Sequence, residues 1–402
     1  MHSSSSINYV GHLYYLTICL KLLSIDFVNK LIKDISIVVV GNALLTFKQG
    51  LKDPSGRLSS WKGDDCCRWS GVRCNNISRH VVKLHLRNPI SVPIIKDFAL
   101  LWGDGAIDSM EYDQQMAYES LYTSSRLGGK ISSSLLHLTY LNSLDLSSND
   151  FKGIRIPKFL GMLKNLRYLN LSSSLFFGEI PPHLGNLSSL IYLDLSRNSV
   201  VSGNLKWLSR LSSLKYLNLG EVEVSDTNWL QSINMLPNLV ELHLSGCYLP
   251  SLPLSLPFVN STLLSVLDIS GGLGLYSMPN WLFNLTSLTE FYLSDNFFGD
   301  PIPSEFVKLK SLESLDLSYN NFKGQLPIFL GNLCKLKVLD LSDNNFTGEV
   351  VEFFGGFLGC PTNSLVSLNL EYNSLEGELP KSIGMLKNLQ HLYLFNNSFS
   401  GS

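Results

Sequence analysis

Tyr168, Tyr192 and Tyr216 are spaced 24 residues apart. If each step is one turn of a repeating backbone, the rings stack at the strand spacing of about 4.8 Å. Such a ladder either offers a platform to a peptide or glycan or covers strand backbone. Two residues beyond each ring runs a polar column: Asp145, Asn170, Asp194, Asn218, His243, Asp268, Tyr292, Asp316, Asp340, Asn369 and Tyr393. Its carboxylates either serve solubility and local hydrogen bonding or form an acidic strip that selects a basic ligand. Tyr292 and Tyr393 interrupt the column, and Arg197 and Glu290 add charge beside it. The ligand-binding candidates are Tyr168, Tyr192, Tyr216, Asp194, Arg197, Glu290, Tyr292, Asp316 and Asp340.

Catalytic signatures are missing. The sequence has no HExxH, GxSxG, Walker A or kinase motif set. Gly128-Gly129-Lys130 leads into Ile131 and fails as a phosphate loop. The eight histidines lack metal-ligand spacing, so neither metal nor cofactor is expected. A formal net charge of −2 supplies no basic field for nucleic acid or an anionic membrane. The chain reads as a binder and not as an enzyme.

These residues are positioned by a repeat. The pattern LxxLxLxxN begins at Leu141, Leu166, Leu190, Leu214, Leu239, Leu264, Leu288, Leu312, Leu336, Leu365 and Leu389, with an imperfect first copy at Val81. Steps are 24 or 25 residues, apart from one of 29 between Leu336 and Leu365. This period and motif denote leucine-rich repeats. The two leucines of LxL point to one face of a short strand, and the residue between them points outward. One coil cannot bury its leucines alone, whereas stacked coils share a core. Each buried Leu contributes about 1.5–3 kcal/mol.

The predicted fold is an α/β leucine-rich-repeat solenoid: a right-handed superhelix, parallel strands on its concave face, 3-10 or short helices on its convex face, and a helical N-terminal cap. About twelve repeats fill 81–402, with an insertion near 90–125. That insertion carries Trp102, Tyr112, Tyr118 and Tyr122 and reads as a recognition loop or a side lobe.

The Asn column holds Asn149, Asn198, Asn296, Asn320, Asn344, Asn373 and Asn397, whose amides can bond backbone groups of adjoining coils. Cys247 fills the same column and reads as a buried free thiol. Ser174, Val222 and Gly272 break it, which predicts a less regular middle.

Many coils continue GxIP or GxLP, as at Gly178–Pro181, Gly324–Pro327 and Gly377–Pro380, and LGNL then leads to the next strand. In this variant the chain resembles the extracellular leucine-rich repeats of plant receptor-like proteins and receptor kinases, over 43–402. Residues 42–80 resemble their N-terminal cap. Residues 42–53 read as a helix with Asn42 as N-cap and Pro54 as terminator.

The resemblance implies a Cys67–Cys74 disulfide and an upstream partner for Cys66. The only upstream cysteine is Cys19, so residues 1–41 read as an atypical leader from a diverged or misjoined first exon. Leu13–Leu20 can be read as a signal core, but MHSSSSIN before it holds no Lys or Arg. No apolar run is long enough to span a bilayer. Cys334 and Cys360 lie one coil apart around the 29-residue step and read as a second disulfide, with two free thiols as the alternative.

Seven N-x-S/T sequons, at Asn76, Asn170, Asn186, Asn260, Asn284, Asn345 and Asn396, point to a secretory route. A glycan on Asn170 would partly block the concave face.

The segments DCCRWSGVRC and GNLCKLKVLDLSDNN resemble the defence-related group that detects fungal elicitor proteins. The resemblance implies an extracellular protein, peptide or glycan ligand and a membrane co-receptor kinase as partners. It implies the extracellular face of the plasma membrane, reached through a segment beyond Ser402, where the last repeat breaks off. The rival readings are a secreted inhibitor of a microbial cell-wall hydrolase and a non-functional truncated receptor fragment.

Overall fold

The computed structural model describes residues 25–90, 109–249, 252, 262–272, 275–361 and 363–401. The suggested signal core, Cys19, Trp102 and the Asn260 sequon lie outside these residues, and the Tyr112 side chain is likewise not described.

Thirteen strands form one sheet. The first, Val72–Cys74, runs antiparallel to Val81–His85, and the following strands pair in parallel, one per coil. Register is kept from coil to coil: Tyr168 pairs with Tyr192 and Tyr192 with Tyr216, while Asn170, Asp194 and Asn218 align two residues on. The repeat length sets this register, because a one-residue slip would turn every leucine outward.

The repeated leucines form one continuous core, with Leu141, Leu166, Leu190, Leu214, Leu288 and Leu312 all at 1% exposure or less. Phenylalanines supplement it, notably Phe298, Phe322 and Phe346, stacked 6.0 and 6.3 Å apart in consecutive coils. Most coils return through a five-residue 3-10 helix such as Pro182–Asn186 or Ile328–Asn332. Short parallel ribbons flank the solenoid: Phe177–Glu179, Ser199–Ser202 and Glu223–Val224 on one stretch, Lys323–Gly324, Asn345–Glu349, Ser374–Glu378 and Ser398–Ser400 on another.

The cap departs from the sequence-based expectation. Its helix, α1, is Ile25–Gly50, so Asn42 lies inside it and not at its N-cap, and a boundary between 41 and 42 cuts through it. The apolar face begins before Asn42: Val40, Ala43, Leu44 and Phe47 are buried together, and that continuous stripe favours one unbroken helix. The helix stops at Gly50, ahead of Pro54, because Leu51–Lys52 turns into a strand paired with Gly128–Gly129. Trp61 stacks on Trp69 at 5.4 Å and reaches Phe47 at 6.5 Å, closing the end of the core. Cys67 is bonded to Cys74, while Cys66 remains a buried free thiol.

The insertion ends in α2 (Ser109–Ser124), and α3 (Trp229–Asn234) replaces the 3-10 turn in a mid-solenoid coil. Cys334 is bonded to Cys360, tying the end of the helix Ile328–Asn332 to the loop after α4 (Val351–Phe357). Cys247 is buried and free, its Sγ 2.9 Å from the Leu219 carbonyl, and burial pushes its pKa up to about 12. Among the described residues no helix is long and apolar enough to cross a membrane.

Candidate functional site: the concave sheet and its rim

The concave sheet brings the tyrosines together as a ladder. Ring centroids are 4.3 Å apart between Tyr168 and Tyr192 and 4.1 Å between Tyr192 and Tyr216, with nearly parallel planes. His85 leans on one end at 6.0 Å and His243 on the other at 5.2 Å. Each ring face is therefore spent on its neighbour, and what a ligand meets is a row of edges and hydroxyls. Those hydroxyls sit 3.4 Å from Asn170, Asp194 and Asn218. Burial raises the pKa of all three above the ordinary tyrosine value, so the row stays protonated.

The polar column beside the ladder serves its own turns. Oδ1 of Asp145, Asn170, Asp194, Asp316 and Asp340 accepts from both the backbone N–H and the hydroxyl of the serine two residues on, at 2.6–3.0 Å. Asp194 is 7% exposed, and burial raises its carboxyl pKa against the opposing bonds from Ser196. Asp316 and Asp340 are half-buried, and Oδ2 of Asp340 also accepts from the Asn369 amide at 3.2 Å.

Asn170 is corrected as a glycosylation candidate. It is 6% exposed on the concave strand, with its amide facing Tyr168 and its carbonyl held by Ser172, so there is no room for a glycan. Asn76, Asn284, Asn345 and Asn396 are exposed, and Asn186 is half-buried at a 3-10 helix end.

His243 lies between two carboxylates on this face, 3.7 Å from Glu241 and 3.8 Å from Asp268. Burial alone would lower its pKa, but the two acids outweigh burial and hold it above the usual 6.5. Glu290 accepts from the Tyr292 hydroxyl at 2.7 Å; burial and that carboxylate push the Tyr292 pKa up to about 12. Arg197 is not on the sheet. It sits in the turn after the strand with φ of 54° and pairs with Glu221 at 3.6 Å.

The turn after each strand forms a rim that the repeat pattern does not single out. Left-handed residues recur there coil after coil, among them Asp295, Tyr319, Asp343 and Tyr372. With Phe297 and Asn345 they line a shallow trough running across four coils. Tyr319, Tyr372 and Phe297 are 54%, 45% and 42% exposed. Exposed aromatics in consecutive turns are the signal for it in the sequence, but LxxLxL directs attention to the strands. In the insertion, Tyr118 is exposed and Tyr122 lies under the Arg126 guanidinium at 5.3 Å.

A capped array of coils with one parallel strand each defines a leucine-rich-repeat solenoid. Comparison with known proteins agrees. Residues 41–75 match the leucine rich repeat N-terminal domain, and residues 165–187, 287–309, 311–333, 335–357 and 364–386 match the leucine rich repeat, as do 137–153 in a second form. Receptor-like protein EIX2 of Solanum lycopersicum is 47% identical over 271 residues, 66% of this chain and 24% of that protein. Receptor-like protein EIX1 of the same plant is 37% identical over 274 residues, again 66% of this chain and 24% of the relative. The crystal structure of PEPR1-AtPEP1 superposes with a TM-score of 0.62 at 27% identity, covering 90% of this chain and 49% of that one. The chain is a leucine-rich-repeat protein similar to the plant receptor-like proteins. It spans about a quarter of the length of the curated relatives it matches.

Proposed function

We propose that this chain is the ligand-reading part of a plant cell-surface receptor. It binds an extracellular protein, peptide or glycan on its concave face and acts through a partner membrane kinase. The observation that carries this reading is the continuous parallel sheet, whose outward columns hold a tyrosine row, a histidine between two acids and half-exposed carboxylates in fixed register. Rigid strands hold such groups in place before a ligand arrives, which lowers the ordering cost of binding. The likeness to receptor-like proteins and to the PEPR1-AtPEP1 structure supports the same reading. Two disulfides and exposed sequons fit an extracellular setting.

The test uses the full chain secreted from plant cells and probed against microbial secreted proteins, peptides and wall oligosaccharides. Tyr216→Ser, Glu290→Ala and Tyr292→Ser should each weaken a true ligand at least about tenfold, roughly 1.4 kcal/mol, with the folded state retained by circular dichroism at the assay temperature. A ligand indifferent to all three places recognition off the concave sheet. A product that is reduced and carries no glycan sinks the extracellular reading.

A further inference from the structure

The rim trough has its own chemistry. It is lined by Asp295, Tyr319, Asp343 and Tyr372 from the left-handed turns, together with Phe297 and Asn345. Spanning four coils, it is about 14 Å long at the spacing of paired strands. Aromatic rings supply flat apolar surface, and carboxylates accept hydrogen bonds from hydroxyls. That combination suits a neutral sugar, which has both an apolar ring face and a rim of hydroxyl donors. No carboxylate of the trough belongs to an ion pair among the described residues. The Tyr319 hydroxyl faces the Asp343 carboxylate, which orients both.

One wall residue is itself a glycan acceptor. Asn345 opens the sequon Asn345-Phe346-Thr347 and is exposed. Its backbone N–H is held by the Phe322 carbonyl at 2.8 Å. Its side-chain amide makes no hydrogen bond within the described residues, unlike that of Asn170. The acceptor nitrogen therefore starts at the edge of a surface built to receive what would be attached to it.

We propose that the first sugars of an N-glycan on Asn345 lie in this trough, stacked on Tyr319 and Tyr372 and hydrogen-bonded to Asp295 and Asp343. The glycan then covers the rim beside the concave sheet, so that a protein partner meets the sheet face and not this edge. The inference rests on the secretory route proposed above.

The experiment takes the full glycosylated chain, digests it natively with an N-glycan-cleaving endoglycosidase, and follows each site by mass spectrometry. Asn345 should be occupied, and its glycan should be released at least fivefold more slowly than those of Asn76 and Asn284. Tyr319→Ala/Tyr372→Ala should abolish that protection, and the milder Asp295→Asn/Asp343→Asn pair should reduce it at least twofold, which keeps the test decisive if the first variant misfolds. Equal release rates at the three sites overturn the proposal. A bare Asn345 on a chain glycosylated at Asn76 and Asn284 also overturns it, leaving the trough open to a partner in trans. A chain bare at every sequon overturns it together with the secretory route, so the two failures are told apart.

Discussion

Asn198 shows what one side chain does in this architecture. Its amide donates to the carbonyls of Leu171, Leu195 and Ser196 at 2.9–3.1 Å, while its carbonyl accepts from Ser174 and Phe176 at 3.1 Å. It thus satisfies five backbone groups from two neighbouring coils at 7% exposure. Asn198→Ala removes these bonds, leaving only the Ser196 carbonyl with another donor, the Ser173 N–H at 2.9 Å, and should cost about 2–4 kcal/mol in denaturant unfolding. Asn397→Ala, at a half-buried site, should cost under about 1 kcal/mol. At the same scale, the two histidines ending the tyrosine ladder should titrate oppositely. Folding favours protonated His243, so its contribution to stability is complete below pH 6.5 and is lost as the pH rises through its raised value. Burial of part of the His85 ring favours its neutral form, so its contribution is complete above 6.5 and is lost as the pH falls toward its lowered value. Ring-proton NMR titration should place the two midpoints on opposite sides of 6.5; midpoints on the same side would contradict the packing described around one of the rings.

At the scale of elements, the glycines in the LGNL-type turns set how closely coils stack. A Cβ on Gly331 would fall 2.4 Å from the Gly356 carbonyl carbon and 2.5 Å from the Phe357 nitrogen, because α4 packs directly on the helix Ile328–Asn332. A Cβ on Gly384 would meet nothing within 4 Å. Gly331→Ala should therefore destabilise by about 1–3 kcal/mol through overpacking. Gly384→Ala should be neutral or stabilising by up to about 1 kcal/mol, since it narrows the unfolded ensemble without a clash. Thermal unfolding of the pair checks this, and equal shifts would mean that the coils do not stack this closely. The same logic of packing explains the cap helix. Residues 42–50 are helical as the sequence suggests, but the helix starts earlier, because the apolar face from Val40 to Phe47 outweighs the capping preference of Asn42.

Across the whole molecule, each coil is stabilised mainly by its neighbours, so stability varies along the solenoid axis. Leucines of the middle coils are fully buried, whereas Leu389, Leu392 and Leu394 are only partly so. Hydrogen exchange should be at least about tenfold faster in 391–401 than in 192–222, read by mass spectrometry under native conditions. Uniform protection would mean that the array unfolds as one cooperative block.

The period alone determined the solenoid, the strand positions, the buried leucines and the aligned tyrosines, because a 24-residue repeat leaves each inward leucine one way to be buried. The Asn column was legible for the same reason: its hydrogen-bonding partners are fixed by the repeat. Other features needed the packed structure. That the tyrosine faces are consumed by one another depends on the 4.1–4.3 Å approach of three rings. The unsuitability of Asn170 for a glycan, like the serine-bound state of Asp194, comes from burial within the sheet, which a sequon or a carboxylate cannot report. Arg197 belongs to a turn and pairs with Glu221 of the next coil, a contact made across 24 residues of chain. The rim trough collects Phe297, Tyr319, Asp343 and Tyr372 from four coils, and only stacking brings them side by side.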